Sequence, residues 1–261
     1  TVEHSDNNNQ MYITFFTELK NFTKKDFYNV TSKLELDNES SVIIVLRDKC
    51  NQTIMKELLL DKNKNIEIFV IDGMSNDETR KIVNKLIDAD SRIQLFENPK
   101  KIQAVALNIG VNKSKGEWIL RLDAHATYPS NYLKLCYDTA IKTKADNVGG
   151  LFITQPGGTG YQASLVQALT THKFGVGNAG FRIGMPAGKA DTVPYGFYKK
   201  QIFNTLGLLD ERLVRAQDYE FNRRIIKNGG FIWRNPEIHV FYYNQPTLWS
   251  FLRKQIILEA P

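Results

Sequence analysis

Cysteine is scarce: Cys50 and Cys136 are the two in 261 residues. They form no CxxC pair and no disulfide framework, so a reducing compartment is the default. No run of about 18 apolar residues occurs, and without one there is no membrane-spanning helix in this sequence. The chain starts at Thr1 with no secretory apolar region, so a trimmed or processed chain is expected. No GxGxxG follows a predicted strand, which argues against a dehydrogenase. No RNA- or DNA-binding motif is found, which argues against nucleic acid as a partner. Internal repeats and a linker between independent domains are also missing.

What is present is an ordinary globular composition, 42% hydrophobic and 24% charged, enough for a substantial core. The net charge of +6 is uneven. Residues 173–261 carry 13 basic and 7 acidic side chains, so the whole excess lies there. Such a basic C-terminal third suits an anionic membrane surface or a diphosphate-bearing ligand, or is simply a solvated face.

Residues 1–40 read as an N-terminal extension with a short helix. From Ser41 a strand–helix alternation begins. Val42–Leu46 predicts a buried strand, followed by a helix over about 52–60. Ile66–Ile71 predicts a second strand ending at Asp72-Gly73. A helix capped by Asn76 or Asp77 runs to about Ala89. A strand over 92–96, a helix over 103–112 and the apolar run Ile119, Leu120, Leu122 follow. The alternation predicts an α/β fold with a parallel sheet covered on both faces. Beyond His125 the pattern loosens: a helix over 131–142, a strand over 147–154, then a Gly-rich stretch from Phe174 to Gly188. That stretch reads as a loop of lid type. A helix over 218–227, a strand over 238–243 and an amphipathic helix over 248–258 close the chain. The expected organisation is an extension (1–40), a main domain (41–245) and a C-terminal amphipathic helix (246–261).

Three acidic clusters fall at or just past predicted strand ends. They are Asp72–Thr79, Asp123-Ala124-His125, and Gln217-Asp218-Tyr219-Glu220. In open α/β sheets ligands bind at the carboxyl ends of strands. Asp-x-His there can hold a divalent cation and the diphosphate it bridges. Acids gathered on one edge repel, and cation binding would offset that cost. The plainer alternative is that Asp123 caps the next segment and His125 is a loop residue.

Several stretches together carry a resemblance. They are Ile71–Thr79, Asn98–Lys101, Ala106–Gly110, Arg121–Pro129, Phe174–Asn178, Asp191–Gly196, Leu209–Arg212 and Gln217–Asn222. In this order, over about residues 41–245, the chain resembles a family 2 glycosyltransferase with the GT-A fold. Within that family it is similar to the succinoglycan-type glucosyltransferases of bacterial polysaccharide assembly. The resemblance implies a mostly parallel, Rossmann-like sheet flanked by helices, with a Gly-rich active-site loop. Asp72 is implied to accept a hydrogen bond from the uracil or ribose of a nucleotide-sugar donor, with capping of the next turn as its alternative. Asp77, Lys101, Arg121 and Asp123 are implied on the donor side. Asp123 and His125 stand at the family's Asp-x-Asp position and are implied to hold Mn²⁺ or Mg²⁺, the imidazole favouring Mn²⁺. His239 is a further candidate metal ligand, or an ordinary strand histidine. Asp218 is implied to be the general base, ionised at neutral pH with an ordinary pKa of about 4. Tyr195, Gly196, Gln217 and Glu220 are implied to bind substrate, Glu220 through acceptor hydroxyls. Glu220 could equally be an acid favoured by a helix N-terminus.

The sequence departs from the family in three places, one of them Tyr219, which follows Asp218 where an acid is frequent. Lys49 stands where a nucleotide-contacting Glu is usual, and the processive Gln-x-x-Arg-Trp signature is missing. A single-addition enzyme is therefore expected. The reading is an inverting, metal-dependent transfer of a hexose from a UDP-sugar to a lipid-linked or surface-polysaccharide acceptor, at the cytoplasmic face of the membrane. Two rivals stand beside it. A degenerate GT-A scaffold or binding protein is favoured by Lys49 and opposed by Asp72, Asp123 and Asp218. A sugar nucleotidyltransferase would need a Gly-rich triphosphate loop after the first strand, and Arg47–Asn51 is not one.

Overall fold

The structure is a computed structural model that describes residues 40–46, 66–123 and 126–259. The expected N-terminal extension, the helix over 52–60, Lys49 and His125 lie outside the described residues.

The parallel part forms as the alternation predicts. Strands β1 (Ser40–Leu46), β2 (Ile66–Asp72), β3 (Ile93–Glu97) and β4 (Trp118–Asp123) line up in the order β3-β2-β1-β4, all parallel. Helices α1 (Thr79–Ala89) and α2 (Gln103–Lys113) connect them. Strand residues alternate between faces. On β2, Ile66, Ile68 and Val70 join one core cluster, with Val83 of α1. Phe69 and Ile71 join the other, with Ala104, Leu107 and Val111 of α2. A strand buried on both faces needs a continuous apolar run, which is why this part is legible in the sequence.

Beyond β4 the sheet becomes mixed. The short strand β8 (Phe197–Lys199) is antiparallel to β4 and to β6 (Asn147–Gln155). Strand β9 (Ile232–Tyr243) is parallel to β6 and antiparallel to β5 (Ala126–Thr127) and β7 (Gly188–Ala190). The full order is β3-β2-β1-β4-β8-β6-β9-β5, with β7 also on β9. Trp118 of β4 stacks on Phe197 of β8 at 5.1 Å between ring centroids, so the seam is packed as well as hydrogen-bonded. Helices α3 (Tyr132–Thr143) and α7 (Gln217–Lys227) cover the sheet.

The stretch around 174–188 is more structured than its glycine content suggests. It contains a short helix, α5 (Lys173–Val176), and strand β7. Phe152 N–H bonds to the carbonyl of Phe181 at 2.8 Å, tying the stretch to β6. Helix α4 (Tyr161–Thr171) precedes it, α6 (Gln201–Leu206) follows β8, and α8 (Leu248–Glu259) ends the described chain and packs against α4. No helix among the described residues is long and apolar enough to cross a membrane.

Candidate active site at the carboxyl edge of the sheet

Asp72 and Asp123 end β2 and β4, on either side of β1; Ile71 and Asp123 both pair with Val45. Two strand spacings put these ends roughly 10 Å apart. Both acids are buried, Asp72 at 0% exposure and Asp123 at 4%. Asp72 makes a tight turn: its carboxylate accepts from Ser75 N–H at 3.2 Å and from the Ser75 hydroxyl. Arg80 Nε lies 3.8 Å from its Oδ2. In this structure Asp72 closes the turn to Ser75.

Asp123 sits in a dense polar cluster. Arg121 donates to it twice, from Nε to Oδ1 at 3.1 Å and from Nη2 to Oδ2 at 3.0 Å. Residues 121 and 123 share a face because strand side chains repeat every second residue. Gln103, the first residue of α2, donates from Nε2 to Asp123 Oδ2 at 3.0 Å. Asp123 N–H donates to the Tyr128 hydroxyl at 2.9 Å. From the start of α7, Gln217 Nε2 donates to Gln103 Oε1. Asp218 Oδ2 stands 3.6 Å from Arg121 Nη1.

Arg121 is therefore a buried cation between two carboxylates. Burial is the largest influence on its charge and opposes it. Asp123 and Asp218 together outweigh burial, so its pKa is raised and it stays protonated. Arg121 Nη1 and Gln217 Oε1 are buried without a hydrogen-bond partner. Unsatisfied buried polar atoms are rare and need a reason, such as a missing ligand or water. Tyr195 forms a wall here, its ring 5.5 Å from the Arg121 guanidinium. Burial pushes the hydroxyl pKa values of Tyr195 and Tyr128 up, with Asp123 adding to it, so both stay protonated. Gly196 accepts from Arg121 N–H at 3.2 Å. Its φ is +89°, and an added Cβ would meet the Tyr198 ring at 2.4 Å, so only glycine fits.

The backbone at this edge is strained. Five non-glycine residues have positive φ: Met74, Lys101, Lys144, Tyr195 and Ala216. All but Lys144 lie within two residues of Asp72, Gln103, Gly196 or Gln217. Such conformations cost roughly 1–3 kcal/mol each and gather at functional sites.

The structure thus gathers Arg121, Asp123, Tyr195, Gly196, Gln217 and Asp218. It places the other predicted residues elsewhere. Exposed Asp77 lies one residue before the N-cap Glu78 of α1 and accepts from Thr79 N–H at 2.9 Å. Lys101 is exposed in a turn before α2. Glu220 is held by Arg224 at 2.7 Å, and Arg224 also donates to the Leu206 and Leu208 carbonyls, so Glu220 braces the α6–α7 connection. His239 sits on β9 opposite Leu151, half-buried. Among the described residues no three His, Cys, Asp or Glu side chains form a metal-holding group. Gln103 and Tyr128 were not singled out by sequence reading. The position of Gln103, opening a helix just past a strand's carboxyl end, was the available signal.

A family model for glycosyl transferase family 2 matches residues 38–204. Succinoglycan biosynthesis protein ExoA of Rhizobium meliloti (strain 1021) is 29% identical over 230 residues, covering 83% of this chain and 68% of that protein. A dolichyl N-acetyl-alpha-D-glucosaminyl phosphate 3-beta-D-2,3-diacetamido-2,3-dideoxy-beta-D-glucuronosyltransferase of Methanococcus voltae is 27% identical over 228 residues, covering 84% and 68%. Among solved structures, GalNAc-T7 with UDP, GalNAc and Mn²⁺ superposes with a TM-score of 0.60 at 19% identity, over 87% of this chain and 51% of that one. S. aureus TarS 1-349 with UDP-GlcNAc gives a TM-score of 0.60 at 16% identity, over 79% and 59%. This chain thus spans 51% and 59% of those two chains, and the likeness to them shows the fold, an α/β GT-A fold. The family match covers well over half of the chain, which is a glycosyltransferase and belongs to glycosyl transferase family 2.

Proposed function

We propose that the chain is an inverting, metal-dependent hexosyltransferase. It moves a hexose from a UDP-sugar to a hydroxyl of a lipid-linked or polysaccharide acceptor at the cytoplasmic face of the membrane. The observation that carries this reading is Arg121, buried between Asp123 at a strand end and Asp218 at the start of α7. One cation links the acid expected on the donor side to the acid expected to act as base. Of the two acids in the first turn of α7, Glu220 is engaged by Arg224. Asp218, 3.6 Å from Arg121 and outside the Glu220–Arg224 pair, would take a proton from an acceptor hydroxyl. A single base acting from one side gives inversion at the anomeric carbon, through an oxocarbenium-like transition state of the kind glycosidases use. Tyr195 and Gly196 would wall the sugar, and Gln217 Oε1 would accept a hydroxyl proton.

The donor chemistry fits a divalent ion. Asp123 supplies carboxylate oxygen and His125 imidazole nitrogen, a set that suits Mn²⁺. A carboxylate offers about four lone-pair positions. Three donors now occupy Asp123, two of them on Oδ2, so Oδ1 has room for one more partner. Asp123 and His125 would hold the ion, which would act as a Lewis acid neutralising charge on the leaving diphosphate. The UDP and Mn²⁺ in the GalNAc-T7 structure and the UDP-GlcNAc in the TarS structure support the donor and metal parts of this reading. The names of the two curated relatives support a polysaccharide or lipid-linked acceptor.

Calorimetry of UDP binding with and without Mn²⁺ tests the reading. Mn²⁺-dependent binding that Asp123→Ala abolishes is the expected result. No UDP binding in either condition would overturn the UDP-donor assignment.

A further inference from the structure

One face of the molecule has an unusual charge pattern. The chain has 28 acids, yet residues 147–190 contain no Asp or Glu, and neither do residues 238–258. The fold puts these two stretches together: β6 pairs with β9, and α4 packs against both α5 and α8. Helix α4, YQASLVQALTT, carries no charged residue at all, although Tyr161, Ser164 and Ala168 are exposed along it. Surface helices normally set charged residues against water. Helix α1 does so, with Arg80, Lys81, Lys85 and Asp88 among its 11 residues.

Large apolar side chains stand out of the same face. Phe174 of α5 is 94% exposed, Tyr161 81% and Trp249 72%. On α8, Trp249, Leu252 and Arg253 are all exposed and follow i, i+3, i+4 spacing, so they form one outward stripe. Leu248 and Phe251 of α8 are half-buried instead. Exposed Lys173 on α5 and Arg253 on α8 give this face positive charge. Exposed aromatics beside basic residues, with no acid along α8 before its last residue Glu259, match the requirements of a lipid–water interface. Trp and Tyr sit at headgroup depth, and Lys and Arg meet anionic headgroups.

We infer that the face formed by α4, α5 and the outer stripe of α8 seats on an anionic lipid bilayer. A protein partner would be expected to match the basic rim with acids, and a second copy of this chain would set like charges together. A bilayer of negative lipids satisfies the aromatics and the charge at once. This deepens the membrane part of the proposed function. It is tested with no sugar or nucleotide present, so its failure leaves the transferase reading standing.

The test is flotation with two kinds of vesicle, phosphatidylcholine alone and three parts phosphatidylcholine to one part phosphatidylglycerol. Tryptophan emission is followed in parallel. Trp118 is buried and Trp233 half-buried in the sheet, so a blue shift on lipid addition reports Trp249. The inference expects binding to the phosphatidylglycerol vesicles that weakens with salt, accompanied by that blue shift. Trp249→Ser with Leu252→Ser should abolish it with the melting temperature unchanged, because both side chains are exposed. Lys173→Glu with Arg253→Glu should weaken it about tenfold or more. Absence of vesicle binding, or binding that neither variant changes, overturns it. So does a lowered melting temperature of the Ser variant, which would mean that another part of this chain packs there. Self-association that the Ser variant abolishes would assign the face to a second copy and overturn it as well.

Discussion

From β3 to β4 every strand pair is parallel, and β2 and β4 send apolar side chains into both core clusters. From β8 to β5 the directions are mixed, with β9 parallel to β6 and the other pairs antiparallel, β8 has three residues, and residues 235–238 of β9 stand opposite Gly150 alone. The first flank delivers Asp72 and Asp123 to the sheet's edge by strand periodicity. The second delivers Tyr195, Gly196, Gln217 and Asp218 from loops and from a helix start, three of these positions next to or at positive φ. The site is the seam between them, where Arg121 N–H bonds to Gly196 and the Arg121 side chain reaches Asp218. Under the proposed function, the regular flank would fix where a donor sits and the irregular one would set the acceptor that receives its sugar.

The largest expected effect comes from separating the two flanks by chemistry. Asp218→Asn removes the proposed base while keeping its shape. Turnover should fall by about 10³-fold, within the range for general bases, with UDP binding and melting temperature unchanged. Asp123→Ala should instead lose UDP binding. If Asp218→Asn lost UDP binding too, the division of labour between the flanks would be wrong. A smaller effect, on stability, is expected at Gly150. An added Cβ would lie 1.7 Å from the Ile238 carbonyl oxygen, and that backbone cannot yield without breaking the β6–β9 pairing. Gly150→Ala should therefore cost about 3 kcal/mol or more by chemical denaturation. A loss below about 1 kcal/mol would show that the mixed flank absorbs the strain easily.

Next in size is Asn222, at 0% exposure. It accepts from Asn147 Nδ2 at 2.9 Å and donates to the Thr192 hydroxyl at 2.9 Å, tying α7 to β6 and to the loop before Tyr195. Asn222→Ala leaves buried partners unsatisfied and should cost about 1–3 kcal/mol. Because α7 carries Asp218, turnover should fall with it. Loss of stability with unchanged turnover would show that α7 is positioned by other contacts.

How much of this could be read beforehand follows from the same contrast. Ile66–Ile71 and Ile119–Leu122 announce their strands because burial on both faces demands largely apolar runs, interrupted here by Glu67 and Arg121 alone. Helix α7 was legible from its acidic start and the Gly229-Gly230 stop. Helix α4 was not: its buried positions are Ala163, Val166 and Thr170, and two of these three carry almost no hydrophobic signal. Strand β8 is too short to show a period. The first half of β9 is hidden by Arg234, Asn235, Pro236 and Glu237, polar residues that a bulged strand tolerates. At the site, the acids were legible by type and by place at strand ends. Gln103 was not, because a neutral amide acquires its meaning from contacts with Asp123 and Gln217, far away in sequence.

The smallest effect asks whether strain at the edge serves function. Ala216, just before α7, has φ +56°, and Lys144, at the end of α3, has φ +60°. A non-glycine residue in this region costs about 1–2 kcal/mol, and glycine relieves it while adding disorder to the unfolded chain. Ala216→Gly and Lys144→Gly should therefore each stabilise the fold by about 1 kcal/mol or less in denaturant titrations. Lys144 lies far in sequence from the acid cluster and serves as the control, with turnover unchanged. Ala216 fixes the entry into α7, so glycine there should loosen Gln217 and Asp218 and lower turnover a few-fold while raising stability. Equal turnover in the two variants would mean that the left-handed residues at this edge only close turns, and that packing alone positions the base.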